Sequence, residues 1–144
     1  MKKLITTLLA LCLTTTASFS DVKLGIIIGF TGPIESLTPD MAAGAELAID
    51  EVNKSGSFSM GKVSGIRADS TCIDSSAATA AAERLITSDK VNGIMGADCS
   101  GVTTAILQQV ALANGMVMVS PSATSPALST VEDNNLFFRT APSD

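Results

Sequence analysis

An open parallel α/β sheet with helices on both faces is the architecture this sequence predicts, and three observations lead to it. Short, nearly continuous apolar runs, the first and third closed by glycine, recur along the chain, as in strands buried on both faces. Stretches with helical periodicity separate them, so strand and helix alternate. The connections are short, which in such a sheet implies right-handed crossovers.

The elements follow in order. Lys2 and Lys3, an apolar run from Leu4 to Leu13 and a small, polar stretch from Thr14 to Ser20 make residues 1–20 a signal peptide, cleaved after Ser20 with Ser18 and Ser20 as the small residues. The run is about 10 residues, half of the roughly 20 a membrane-spanning helix needs. Cys12 follows Leu11, where a lipoprotein signal carries a small residue, so no lipid anchor is expected. Val22 to Gly29 (VKLGIIIG) predicts the first strand, and a turn-rich loop, Phe30 to Thr38, follows it. Pro39 suits a first helical position with Thr38 as cap; Met41, Ala45, Ala48 and Val52 share one face, Glu46, Asp50 and Asn53 another, and Gly56 ends the helix. Val63 to Asp69 predicts a second strand, Ser75 to Ser88 an alanine-rich helix, and Val91 to Met95 a third strand closed by Gly96. Val102, Ile106, Val110 and Ala113 form the inner face of a third helix ending near Gly115; Met116 to Val119 and Leu136 to Thr140 complete the strands. Residues 21–144 are expected to form one compact unit.

Composition narrows the functions. Without Lys2 and Lys3, 7 basic residues face 14 acidic ones, a formal net charge of −7 that argues against a nucleic-acid partner. There is no His, Trp or Tyr, and aromatic residues make up 3 %. Imidazole catalysis and metal binding therefore lack their usual side chain, and no metal or cofactor is expected. Neither a phosphate-binding glycine loop nor a GxSxG with a histidine partner is present, so an enzyme is not expected.

In open α/β sheets ligands bind outside the carboxyl ends of the strands, near the point where strand order reverses. That singles out three loops: Phe30 to Thr38, Ala97 to Gly101, and Ser120 to Ser125. All are rich in Gly, Ser, Thr or Pro, which can offer backbone N–H groups and hydroxyls to a small polar ligand. Ser100, at the start of a helix, either caps it or receives a carboxylate there, and the two roles can coexist. Ser120-Pro-Ser-Ala-Thr124 can clamp an ammonium and a carboxylate, or be a plain turn. Asp98 would repel a ligand carboxylate unless it points away or meets an ammonium; a solvated side chain is the simpler expectation. Cys72 and Cys99, an even pair in an oxidising compartment, are expected to form a disulfide, with two buried thiols as the alternative.

Taken together, GIIIGFTGP (Gly25 to Pro33), AAGAELAIDEVNKSG (Ala42 to Gly56), Cys72 with Cys99-Ser100, SPSATSPAL (Ser120 to Leu128) and LFFRTAPSD (Leu136 to Asp144) resemble the leucine/isoleucine/valine-binding proteins. These are type I periplasmic receptors of branched-chain amino acid ABC transporters. The resemblance implies a non-enzymatic, monomeric, periplasmic receptor. It would close two lobes on a small amino acid and deliver the ligand to membrane permease subunits. Residues 21–144 would supply the opening segment of the first lobe only, without the second lobe and its acidic ammonium ligand. Ser100 and Thr124 would hold the α-carboxylate and the carbonyl of Ser122 the ammonium. Around the ligand's side chain would lie Leu37, where relatives often carry an aromatic residue, and Asp98 and Gly101, where they commonly carry an apolar residue and Ser. The cysteine pair is similar to the family's disulfide. A receptor for an amide, urea or another amino acid on the same fold, and the sensory domain of a signalling receptor, are the alternatives.

Overall fold

The computed structural model describes residues 20–144. The expected signal peptide, apart from Ser20, lies outside the described residues, and Cys12 with it. Five strands form one parallel sheet in the order β2-β1-β3-β4-β5: β1 is Val22–Ile28, β2 Val63–Asp69, β3 Gly93–Gly96, β4 Met118–Ser120 and β5 Phe137–Arg139. Helix α1, Thr38–Ser55, follows β1, and α2, Ser75–Thr87, follows β2. After β3 comes α3, residues 100–114, an α-helical stretch Ser100–Ile106 that passes through a π turn, Leu107–Ala111, into a last turn, Leu112–Asn114. A 3₁₀ turn, Pro126–Ser129, lies between β4 and β5.

The handedness of the crossovers decides which face each helix covers. The chain steps one way from β1 to β2 and the other way from β2 to β3 and β4. Accordingly α1 packs on one face, where Ile26, Ile28 and Ala42 are buried together, and α2 and α3 on the other, around Ile27, Leu85, Ile106, Leu107 and Met118. Ile26, Ile27 and Ile28 are each at most 1 % exposed, so β1 is buried on both sides. Each such side chain contributes about 1.5–3 kcal/mol. The face carrying α1 is covered only over β1 and β2; further along, Val117, Val119 and Phe138 remain exposed. An apolar hollow lined by Leu24, Ala48, Ile49, Val52, Val63 and Met95 lies between α1 and the sheet.

Local chemistry accounts for the ends. Gly56 and Gly115 both close their helices with φ near 60°, the left-handed conformation that glycine adopts without steric cost (66° and 62°). Asp74 caps α2 by accepting from the amides of Ser76 and Ala77. Arg67 on β2 makes a two-pronged ion pair with Glu46 on α1, at 2.6 and 2.8 Å, and its guanidinium lies 5.4 Å from the centre of the Phe30 ring.

Several details differ from the sequence reading. Thr38 is not the cap of α1: it is the first helical residue, buried, and its hydroxyl donates to the carbonyl of Gly29 at 3.0 Å. The packed face of α1 is Thr38, Met41, Ala42, Ala45 and Ile49, while Ala48 and Val52 are exposed beside the hollow. Asn53, expected on the polar face, exchanges two hydrogen bonds with the backbone of Val63 and ties the end of α1 to the start of β2. Ala113 is exposed because the π turn adds a residue to the helical path, and Ala111 is buried instead.

Candidate functional site

Strand order reverses between β1 and β3, so the loops after these strands, with the loop after β4, flank the switch point. All three lie at the carboxyl end of the sheet, as the sequence predicts. The three loops are held there by side chains, because past the last ladder bond the backbones have no regular partner.

The loop after β4 is joined to the loop after β3 by successive side-chain bonds. The hydroxyl of Ser120 donates to the carbonyl of Ala97, and that of Ser122 to the carbonyl of Asp98 at 3.0 Å. Ser100 Oγ accepts from the amides of both Thr124 and Ser125, each at 3.1 Å. These contacts continue the β3–β4 pairing beyond the strands. Ser100 therefore does not cap α3; Cys99 stands at the cap position and no side chain bonds there. The residues named for the carboxylate, Ser100 and Thr124, are brought into direct contact, with Ser122 two residues away. Thr124 also donates its hydroxyl to Asp144 Oδ2 at 2.8 Å. Leu37 is 61 % exposed at the end of the first loop.

Asp98 is placed differently from the solvated side chain that was the simpler expectation. It is 3 % exposed, and both its oxygens are engaged: Oδ2 by the amide of Gly29 at 2.9 Å, Oδ1 by the Ser70 hydroxyl at 3.2 Å and the Cys99 amide at 3.0 Å. Its carboxylate gathers the ends of β1, β2 and β3. A charge can be buried here because three donors surround it. Cys72 and Cys99 form a disulfide, joining the loops after β2 and β3 next to Ser100.

Asp69 fixes the first loop. It accepts from the Thr31 hydroxyl at 2.6 Å and from the amide of Thr71 at 2.8 Å. Burial pushes its carboxyl upward, but the Thr31 hydroxyl and the amides of Thr71, Thr31 and Phe30 outweigh it and hold the group below its ordinary value. A lowered folded-state value stabilises the fold above the unfolded-chain pKa, and this stabilisation is lost as pH falls through the folded value. Asp69→Asn is therefore expected to be less stable at neutral pH and to lose less on acidification, as urea titrations between about pH 7 and about pH 3 would read. Asp69, Ser70 and Arg139 were not singled out from the sequence; only their place at strand ends marked them. Among the described residues no three His, Cys, Asp or Glu side chains gather to hold a metal, and no helix is long and apolar enough to cross a membrane.

The carboxyl end of this parallel sheet thus carries interlocked Ser and Thr loops at its switch point. The chain belongs to the periplasmic binding protein family, whose model matches residues 21–144. It is 31% identical over 121 residues to Leu/Ile/Val-binding protein homolog 3 of Brucella melitensis, covering 84% of this chain and 32% of that protein. With the Leu/Ile/Val-binding protein of Citrobacter freundii it shares 29% identity over 143 residues, 99% of this chain and 38% of the relative. Among solved structures it is similar to the branched-chain amino acid transporter substrate binding protein LivJ of Streptococcus pneumoniae in complex with isoleucine. That match has a TM-score of 0.77 and 25% identity, and covers 86% of this chain and 34% of the other. A Desulfitobacterium hafniense ABC transporter substrate-binding protein in complex with Leu gives 0.74 and 27%, over 86% and 35%. The chain thus spans about a third of the length of these relatives. The family is one of solute-binding proteins, not of enzymes.

Proposed function

We propose that residues 21–144, exported behind a leader at 1–20, are the opening segment of the first lobe of a periplasmic amino acid receptor. It would act as a monomer, take leucine, isoleucine or valine first, and pass the ligand to the permease subunits of an ABC transporter. The observation that carries this reading is the pairing of Ser100 with Thr124 beside the Ser122 carbonyl, which has no hydrogen-bond partner among the described residues. The hydroxyl of Ser100, whose oxygen accepts from two amides, is a donor for a carboxylate; the amide and hydroxyl of Thr124, bonded here to Ser100 Oγ and Asp144 Oδ2, would exchange those partners for it, and the Ser122 carbonyl is an acceptor for an ammonium. An α-amino acid carries both groups. Leu37 is exposed and apolar, suited to the ligand's side chain, while Asp98 supports the loops from beneath.

Half the contacts of a two-lobed site lie outside this segment, so residues 21–144 alone are expected to bind leucine weakly. A submicromolar Kd for the segment would overturn that. In the full receptor, Ser100→Ala and Thr124→Ala are each expected to weaken leucine about tenfold or more, since each removes a hydrogen bond to a charged group. Calorimetry against leucine, isoleucine, valine, urea and a simple amide separates the amino acid reading from the amide reading. Wild-type affinity in both variants would remove this site from the function.

A further inference from the structure

Along β5 side chains alternate, and Phe137 and Arg139 share a face. Phe137 is buried in the larger core, which sends Arg139 up the same side to the loop after β4. There Nη1 donates to the carbonyls of Ala123 at 3.2 Å and Ser125 at 2.9 Å, and Nη2 to the hydroxyl of Ser129. The segment around it holds the same loop: the amide of Thr140 donates to the Ser120 carbonyl, its hydroxyl to that of Pro121, and the amide of Asp144 to that of Thr124. Of the six carbonyls from Ser120 to Ser125, that of Ser122 alone has no partner among the described residues.

In a trans peptide the C=O and the following N–H point in opposite directions. A guanidinium that draws the Ala123 carbonyl toward β5 therefore turns the Thr124 amide the other way, toward Ser100. We propose that Arg139 is a positioning residue of the amino acid site, holding the Thr124 N–H on Ser100 Oγ at the place read for the ligand's carboxylate, while the Ser122 carbonyl is oriented by Ser120, whose Oγ accepts from the Ala123 amide at 3.0 Å. This rests on the reading of Ser100, Ser122 and Thr124 as the ligand site. It makes a prediction that general loosening of the fold does not: loss of Arg139 weakens recognition of the carboxylate more than that of the ammonium.

The test compares L-leucine with L-leucinamide, which keeps the ammonium and lacks the carboxylate, on the full receptor and its Arg139→Gln and Arg139→Lys variants. Arg139→Gln is expected to weaken leucine about tenfold, the scale of one hydrogen bond from a charged donor. The effect on leucinamide is expected to be several times smaller, and Arg139→Lys to fall between. Equal weakening of both ligands, or of neither, overturns the proposal; if Arg139→Gln does not fold, Arg139→Lys is judged by the same comparison. If the wild type binds neither ligand, the proposed function falls instead. Amide hydrogen exchange then decides the placement: selectively faster exchange at Thr124 with unchanged protection at Ile27 supports it, and unchanged exchange at Thr124 overturns it.

Discussion

Replacing both Cys72 and Cys99 by serine is expected to lower the unfolding free energy by about 3.5 kcal/mol. The bridged residues are 27 apart in sequence, and closing a loop of that size removes this much chain entropy from the unfolded state. The bridge also ties the loop after β2 to the residue before Ser100, so its loss loosens the start of α3. Urea titration of wild type and double variant, with the wild type repeated under reductant, measures the effect. The reduced wild type should unfold at the variant's midpoint, and a difference under about 1 kcal/mol would show that the bridge contributes little.

Removing the carboxylate of Asp98 is expected to cost about as much, by a different route. Asp98→Ala leaves the Gly29 amide, the Ser70 hydroxyl and the Cys99 amide without their acceptor, two of them in a buried setting. An unsatisfied buried donor costs about 1–3 kcal/mol, so a loss of about 4 kcal/mol is expected. Asp98→Asn keeps one carbonyl oxygen and should lose about half of that. Equilibrium unfolding of the two variants distinguishes the cases, and an alanine variant within about 1 kcal/mol of wild type would mean that water replaces the carboxylate readily.

The strands were legible because burial on both faces leaves a signature that survives in one dimension: VKLGIIIG has no polar alternation after Lys23, and the structure puts Ile26, Ile27 and Ile28 in two cores. Helix ends written in glycine, at Gly56 and Gly115, were equally plain. What was not legible depends on partners far away in sequence. Asp98 looks solvated beside Cys99 and Ser100, and only the fold brings Gly29, 69 residues earlier, within reach of it. Thr38 before Pro39 has the chemistry of a cap, yet Gly29 offers its hydroxyl a buried acceptor. The inner face of α3 was misread at its end because a π turn has no sequence mark. The three loops of the candidate site could be named from strand ends alone. Their internal bonding, with Ser100 accepting from two amides and Arg139 reaching across from β5, could not.

The sheet sets its loops at two ends, and only one carries the candidate site. At the opposite end the chain merely returns to the next strand, through residues 56–62, 88–92, 115–117 and 130–136. Substitutions at distant, unconnected positions add independently. Changes of solubility or surface charge written into the return loops can therefore accumulate without disturbing the Ser and Thr loops of the candidate site, and those loops can change while the return loops stay as they are. Such a molecule can diversify in two directions at once.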